Sequence, residues 1–129
     1  MARGQLDAVL GGFTRLFGDG TVSGLGERQL LERFVARRDE AAFEALVARH
    51  GPAVLGVCRR MLADPHDADD AFQAVFLVLV RRAATIRDAD RLGPWLYGVA
   101  LKVARRARQQ AARRRATEKG GDAVAAHEP

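Results

Sequence analysis

Apolar side chains from Glu27 onward recur three and four residues apart, which is the spacing of helices that bury one face. The stripes are Leu30, Leu31, Phe34 and Val35, then Phe43, Leu46 and Val47, and then Val54, Leu55, Val57, Cys58, Met61 and Leu62. The sequence has neither the alternation typical of strands nor hairpin dipeptides. We therefore predict an all-α fold, a compact helical bundle over residues 27–115.

Short local signals set the expected ends of these helices. Asp39 is a candidate N-cap, because its carboxylate can accept a hydrogen bond from a free backbone N–H. Gly51-Pro52 predicts a kink or an interruption, since proline removes a backbone donor and clashes with the preceding turn. Asp64-Pro65 predicts a new helix of about residues 65–84, with Asp64 as N-cap and Pro65 at the first helical position.

The two ends of the chain differ in composition from this helical part. Seven of the 13 glycines lie in residues 4–26. The same segment has apolar side chains at helical spacing: Leu6, Val9, Leu10, Phe13, Leu16 and Phe17. We expect residues 1–26 to be an appendage with an N-terminal amphipathic helix and a glycine-rich linker. Residues 116–129 are expected to be a disordered polar tail.

Composition sets the broad class. The 129 residues are 48% hydrophobic and 29% charged, which suits one folded domain. No apolar stretch approaches the roughly 20 residues needed to span a bilayer. The single cysteine, Cys58, excludes an internal disulfide, so a cytoplasmic location is expected.

The excess positive charge is confined to the last predicted helix, from Trp95 to about Arg115. Residues 1–99 carry 13 cations and 13 acids, whereas residues 100–119 carry eight cations and one acid. If Leu96, Val99, Val103 and Ala107 face the core, then Trp95, Lys102, Arg106 and Arg113 form a line beside them. An aromatic ring with aligned cations suits single-stranded nucleic acid. The alternatives are a merely solvated basic face and a tryptophan partly buried in the core.

The helix from Pro65 is apolar almost all round, which is more than a small core can cover. Phe72, Val75, Phe76 and Leu79 form one face, and Asp70, Gln73 and Leu77 lie on another flank. The surplus predicts a protein partner on that flank. Deep burial or a homodimer contact would explain it equally well.

Catalytic residues are sparse. His66-Asp67 and Asp69-Asp70 resemble parts of the metal site of helical His-Asp phosphohydrolases, but the only other histidines are His50 and His127. Helix capping accounts for these aspartates more simply. We expect no enzyme activity, no cofactor and no metal.

Two motifs in order resemble a known family. They are Asp67-Ala68-Asp69-Asp70-Ala71-Phe72-Gln73-Ala74-Val75-Phe76-Leu77 and Trp95-Leu96-Tyr97-Gly98-Val99-Ala100, the second running into arginines. The chain is similar, over about Glu27 to Arg115, to region 2 of the extracytoplasmic-function type of bacterial RNA polymerase sigma factors of the sigma-70 family. Residues 116–129 are too few for region 4, the helix-turn-helix domain that normally follows.

The resemblance implies a transcription initiation factor that binds core RNA polymerase and melts the promoter −10 element. It implies contact with the β′ coiled coil, for which we predict Asp69, Asp70, Gln73 and Leu77. It implies that the connector, residues 85–92, captures a flipped base and that the last helix holds single-stranded −10 DNA, for which we predict Arg87, Arg91, Trp95, Lys102, Arg105, Arg106 and Arg113. An anti-sigma factor is a further expected partner. The alternatives are a small basic helical nucleic-acid-binding protein without polymerase contact and a metal-dependent phosphohydrolase.

Overall fold

The structure is a computed structural model that describes residues 24–119. The described residues form four α-helices and no strand: α1, Glu27–Arg37; α2, Glu40–Met61; α3, Pro65–Arg82; and α4, Leu92–Lys119. Two single 3-10 turns, Ala83–Thr85 and Ala89–Arg91, lie between α3 and α4, so that residues 83–91 form the connector in the structure. The all-α prediction is confirmed. The predicted N-terminal amphipathic helix and most of the predicted tail lie outside the described residues.

The predicted N-caps are confirmed. The Asp39 carboxylate accepts a hydrogen bond from the backbone N–H of Ala42 at 3.3 Å, and α2 begins directly after it. The Asp64 carboxylate accepts one from the N–H of His66 at 2.8 Å, with Pro65 at the first position of α3. Each cap satisfies a backbone donor that has no partner within its helix, which fixes where these helices begin.

The sequence predicted a kink or an interruption at Gly51-Pro52. An interruption is wrong, because α2 is helical from Glu40 to Met61 with Pro52 inside it. Proline costs the helix one hydrogen bond at this point. Buried side chains on both sides of the proline, Val47 and Val54 among them, pack into the core and hold both halves in one helix. Tertiary burial outweighs the local penalty here.

The core lies where α2 packs against the other three helices. A run of phenylalanine rings joins three of them: the ring centres of Phe34 in α1 and Phe43 in α2 are 5.0 Å apart, and Phe43 meets Phe76 of α3 edge-on at 6.5 Å. Phe72 extends the run at 5.1 Å from Phe76. The predicted apolar stripes of α1 to α3 therefore meet in one core, except for Val35, which is 40% exposed.

The last helix is longer than predicted and turns a different stripe to the core. It starts at Leu92 and continues to Lys119, beyond the Arg115 at which the sequence predicted its end. The fully buried positions are Leu92, Leu96, Ala100, Ala104 and Ala111, whereas Val99, Val103 and Ala107 are only partly buried. Small alanine side chains let α4 approach its neighbours closely, which explains why they take the central line.

None of the helices in residues 24–119 is long and apolar enough to cross a lipid bilayer.

Candidate nucleic-acid and partner-binding surfaces

One flank of α3 points away from the core and carries both polar and apolar side chains. Asp70 is exposed, Gln73 and Ala74 are partly buried, and Leu77 is 55% exposed. We call these four residues the α3 outer flank. Spacings of three, four and seven residues align them along one side of the helix. The exposed leucine makes the flank suitable for a protein partner that covers it.

Asp69, which the sequence grouped with Asp70, does not lie on this flank. It lies three and seven residues before Phe72 and Phe76, on the face of α3 that is turned inward. Its side chain is 0% exposed, and neither carboxylate oxygen has a hydrogen-bond partner among the described residues. A buried carboxylate cannot reach a partner without a rearrangement of α3.

Four of the predicted DNA contacts lie together on α4. Lys102, Arg105, Arg106 and Arg113 are exposed and line one groove of about 380 Å³, with Gln109 and Gln110 between them. We call these six residues the basic face. Amide side chains between cations add hydrogen-bond donors and acceptors without any negative charge. The face offers repeated contacts to a polyanion.

The two aromatic side chains at the start of α4 differ in exposure. Trp95 is partly buried and packs against the core, which is one of the two alternatives that the sequence left open. Tyr97, two residues later, is 52% exposed. The exposed ring at the start of α4 is therefore that of Tyr97, which sequence reasoning did not select. It lies about 140° around the helix from Lys102, away from the basic face. Only the part of Trp95 that remains accessible can meet a ligand.

An ion pair that the sequence analysis missed joins α4 to α3. Arg114 donates to both carboxylate oxygens of Asp67 at 3.3 Å. The two residues border a groove of about 370 Å³ that also contains Asp70 and Arg106. Arg114 lies 18 residues after Leu96, on the buried side of the helix, and this spacing would have revealed its direction.

The connector carries the remaining two predicted DNA contacts away from the basic face. Arg87 is exposed, and the largely exposed Arg91 has its guanidinium 3.8 Å from Asp88. A cavity of about 430 Å³ separates the connector from α1, and its walls include Arg28, Val35 and Arg87. The cavity has a cation on either side, and Glu32 of α1 also lies in its lining.

Among the described residues, no three His, Cys, Asp or Glu side chains lie together as the ligands of a metal ion would. His50 instead contacts the carboxylate of Glu27, which joins α2 to α1.

The helices that carry these surfaces match a known protein family. The family model of sigma-70 region 2 matches residues 46–114, more than half of the chain. The chain belongs to the sigma-70 region 2 family. The resemblance inferred from the two motifs is thereby confirmed, and this family consists of transcription initiation factors, not enzymes.

Two curated sigma factors are similar to this region 2 domain. It is 42% identical over 77 residues to RNA polymerase sigma factor CarQ of Myxococcus xanthus, covering 58% of this chain and 42% of the relative. It is 33% identical over 79 residues to RNA polymerase sigma-H factor of Pseudomonas aeruginosa, covering 61% of this chain and 40% of the relative. The aligned part of the chain thus spans about two fifths of the length of either relative. No solved structure matches it significantly.

The residues matched by the sigma-70 region 2 model include most of the surfaces described above. Residues 46–114 contain the α3 outer flank, the connector and the whole basic face. They exclude α1, and with it one wall of the cavity beside the connector.

Proposed function

We propose that this chain is the promoter-melting domain of a sigma factor. It binds the β′ coiled coil of core RNA polymerase through the α3 outer flank and holds the non-template strand of the −10 element on the basic face. The observation that carries the proposal is the placement of these two exposed surfaces on neighbouring helices of one small bundle. A domain so built connects polymerase to an opened promoter. Such a role on chromosomal DNA is expected in the cytoplasm.

The chemistry of the α3 outer flank supports a helical protein partner. Leu77 is a large exposed apolar side chain, and Asp70 lies two turns before it on the same side. A partner helix that covers Leu77 and presents a cation to Asp70 would bury apolar area and form a partly desolvated ion pair. Ala74 leaves room between them for such a helix to approach.

The basic face supports binding of a strand through its phosphates. The groove has four cations and no acid in its lining, so each bound phosphate releases condensed counterions. The cavity between α1 and the connector is proposed as the place of the flipped base, with Arg28 and Arg87 near the entering backbone. Unstacking a base costs a few kcal/mol, which contacts in the cavity would offset.

The test compares two single variants of the full chain. Asp70→Ala should weaken binding to core RNA polymerase while its affinity for a single-stranded −10 oligonucleotide is unchanged. Arg106→Ala should do the reverse, and it should reduce the salt dependence of strand binding by about 0.7 units of slope per lost phosphate contact. Arg59→Ala removes an exposed cation of α2 outside both surfaces and serves as the control.

Unchanged polymerase binding by Asp70→Ala, with strand binding intact, would instead favour a basic nucleic-acid-binding protein without polymerase contact. Binding of an anti-sigma factor stays a prediction.

A further inference from the structure

Tyr97 exposes half of its side chain beside a cavity that the proposed function does not use. The cavity has a volume of about 500 Å³ and lies between α2 and the start of α4. Its lining is mainly apolar and comprises His50, Ala53, Val54, Gly93, Pro94, Leu96 and Tyr97. An exposed aromatic ring next to an apolar cavity is a surface on which another planar ring can stack.

The cavity also has polar groups that can select what enters. The Tyr97 hydroxyl is one, and the imidazole of His50 is the other. His50 is held in position by its contact with Glu27. A few fixed polar groups in an apolar cavity are typical of sites that orient a small planar ligand.

Gly98 leaves the backbone of α4 bare directly beside Tyr97. A Cβ at this position would have no atom within 4 Å, so packing inside the protein does not require glycine. Glycine within a helix lowers stability, and a common reason for keeping one is the close approach of a ligand. The missing side chain opens a flat passage over the helix between Tyr97 and Lys102.

The passage leads from the cavity to the basic face. Lys102 and Arg105 follow Tyr97 by five and eight residues, which is about 7.5 and 12 Å along the helix axis and about 140° and 80° around it, so a strand between them must cross the exposed side of α4. Both are exposed. The only acid of α4, Glu118, lies at its far end. An unpaired nucleotide combines the planar ring and the negative charge that this surface matches.

We infer that the cavity at Tyr97 is a second base-binding subsite for an unpaired nucleotide. The strand crosses α4 at Gly98, its base stacks on Tyr97, and its phosphates contact Lys102 and Arg105. This inference rests on the proposed function, because it extends the path of the strand beyond the basic face.

The experiment uses the full chain and a short single-stranded DNA that contains the fluorescent base 2-aminopurine, with the matching duplex as a second probe. Tyr97→Ala should weaken single-strand binding by about 5- to 150-fold and abolish the quenching that stacking produces. Tyr97→Phe keeps the ring and should retain both. Gly98→Leu should weaken single-strand binding, because the leucine side chain blocks the passage over α4. It should not reduce the helix content. Arg59→Ala, an exposed residue of α2 outside the cavity and both surfaces, should change neither signal, and duplex binding should be unchanged in all four variants.

The outcomes separate this inference from the proposed function. If Tyr97→Ala binds and quenches like the parent chain while Arg106→Ala binds weakly, the subsite is overturned and the basic face stands. If Arg106→Ala binds normally and Tyr97→Ala binds weakly, the subsite stands and the proposed strand path is wrong. If Tyr97→Ala loses affinity for core RNA polymerase and keeps its affinity for the single strand, the cavity belongs to a protein partner and the inference fails.

Discussion

Asp69 provides a direct test of how the core of this domain is built, because its carboxylate is buried without a partner. A buried polar group that lacks a hydrogen bond costs about 1–3 kcal/mol, and a charged group costs more. Asp69→Asn keeps the shape of the side chain and removes the charge. We expect it to raise the free energy of unfolding by about 1 kcal/mol or more, which corresponds to roughly 4–8 °C in melting temperature per kcal/mol.

The matched control is Asp70→Asn, one residue further along α3. Both aspartates lie at nearly the same distance from the helix N-terminus, so any interaction with the helix dipole is similar in the two variants. Asp70 is exposed, and its substitution should change the free energy of unfolding by less than about 0.5 kcal/mol. Urea denaturation followed by far-ultraviolet circular dichroism gives both values. A fall in stability for Asp69→Asn would show that the carboxylate has a stabilising partner, and the reasoning would be wrong.

Two further predictions concern Arg114 and Cys58. Arg114→Gln removes the exposed ion pair with Asp67 and should lower the free energy of unfolding by less than about 1 kcal/mol. Arg113→Gln, the control, should leave it unchanged. In thermal melts, the difference in melting temperature between these two variants should vanish as the salt concentration rises. Burial raises the pKa of the Cys58 thiol from 9.0 to about 11, so the unfolded chain loses this proton before the folded one. The free energy of unfolding should therefore fall as pH rises through that interval, and Cys58→Ala should lack this component of the decline in urea denaturation. A parent chain and variant with the same pH dependence would contradict the assignment to Cys58.

The sequence predicted those features of the fold that depend on neighbouring residues. Asp39 and Asp64 were recognised as N-caps because the acceptor and its donor lie within three residues of each other. The continuity of α2 through Pro52 was not predictable in this way. It depends on the burial of flanking side chains against helices that are distant in sequence.

In the candidate site too, some features follow from sequence spacing, and others depend on how the helices pack. Spacing alone placed Lys102, Arg106 and Arg113 on one side of α4, and the structure agrees. Spacing does not decide which of two nearby side chains is exposed, as Trp95 and Tyr97 show. That depends on where α2 and α3 pack against α4. The motif gave Asp69 and Asp70 the same role, although successive residues point about 100° apart around a helix.

The ion pair between Arg114 and Asp67 affects how titrations of DNA binding with salt should be interpreted. Every described side chain of α4 beyond Ala111 is exposed, and this pair links the far part of the helix to α3. Added salt weakens the attraction of phosphates to the domain, and it also releases Arg114 from its carboxylate. The freed guanidinium is then available to bind a phosphate. A slope measured for the parent chain therefore combines two opposing ionic equilibria, and only a variant without Asp67 would report the number of phosphate contacts directly.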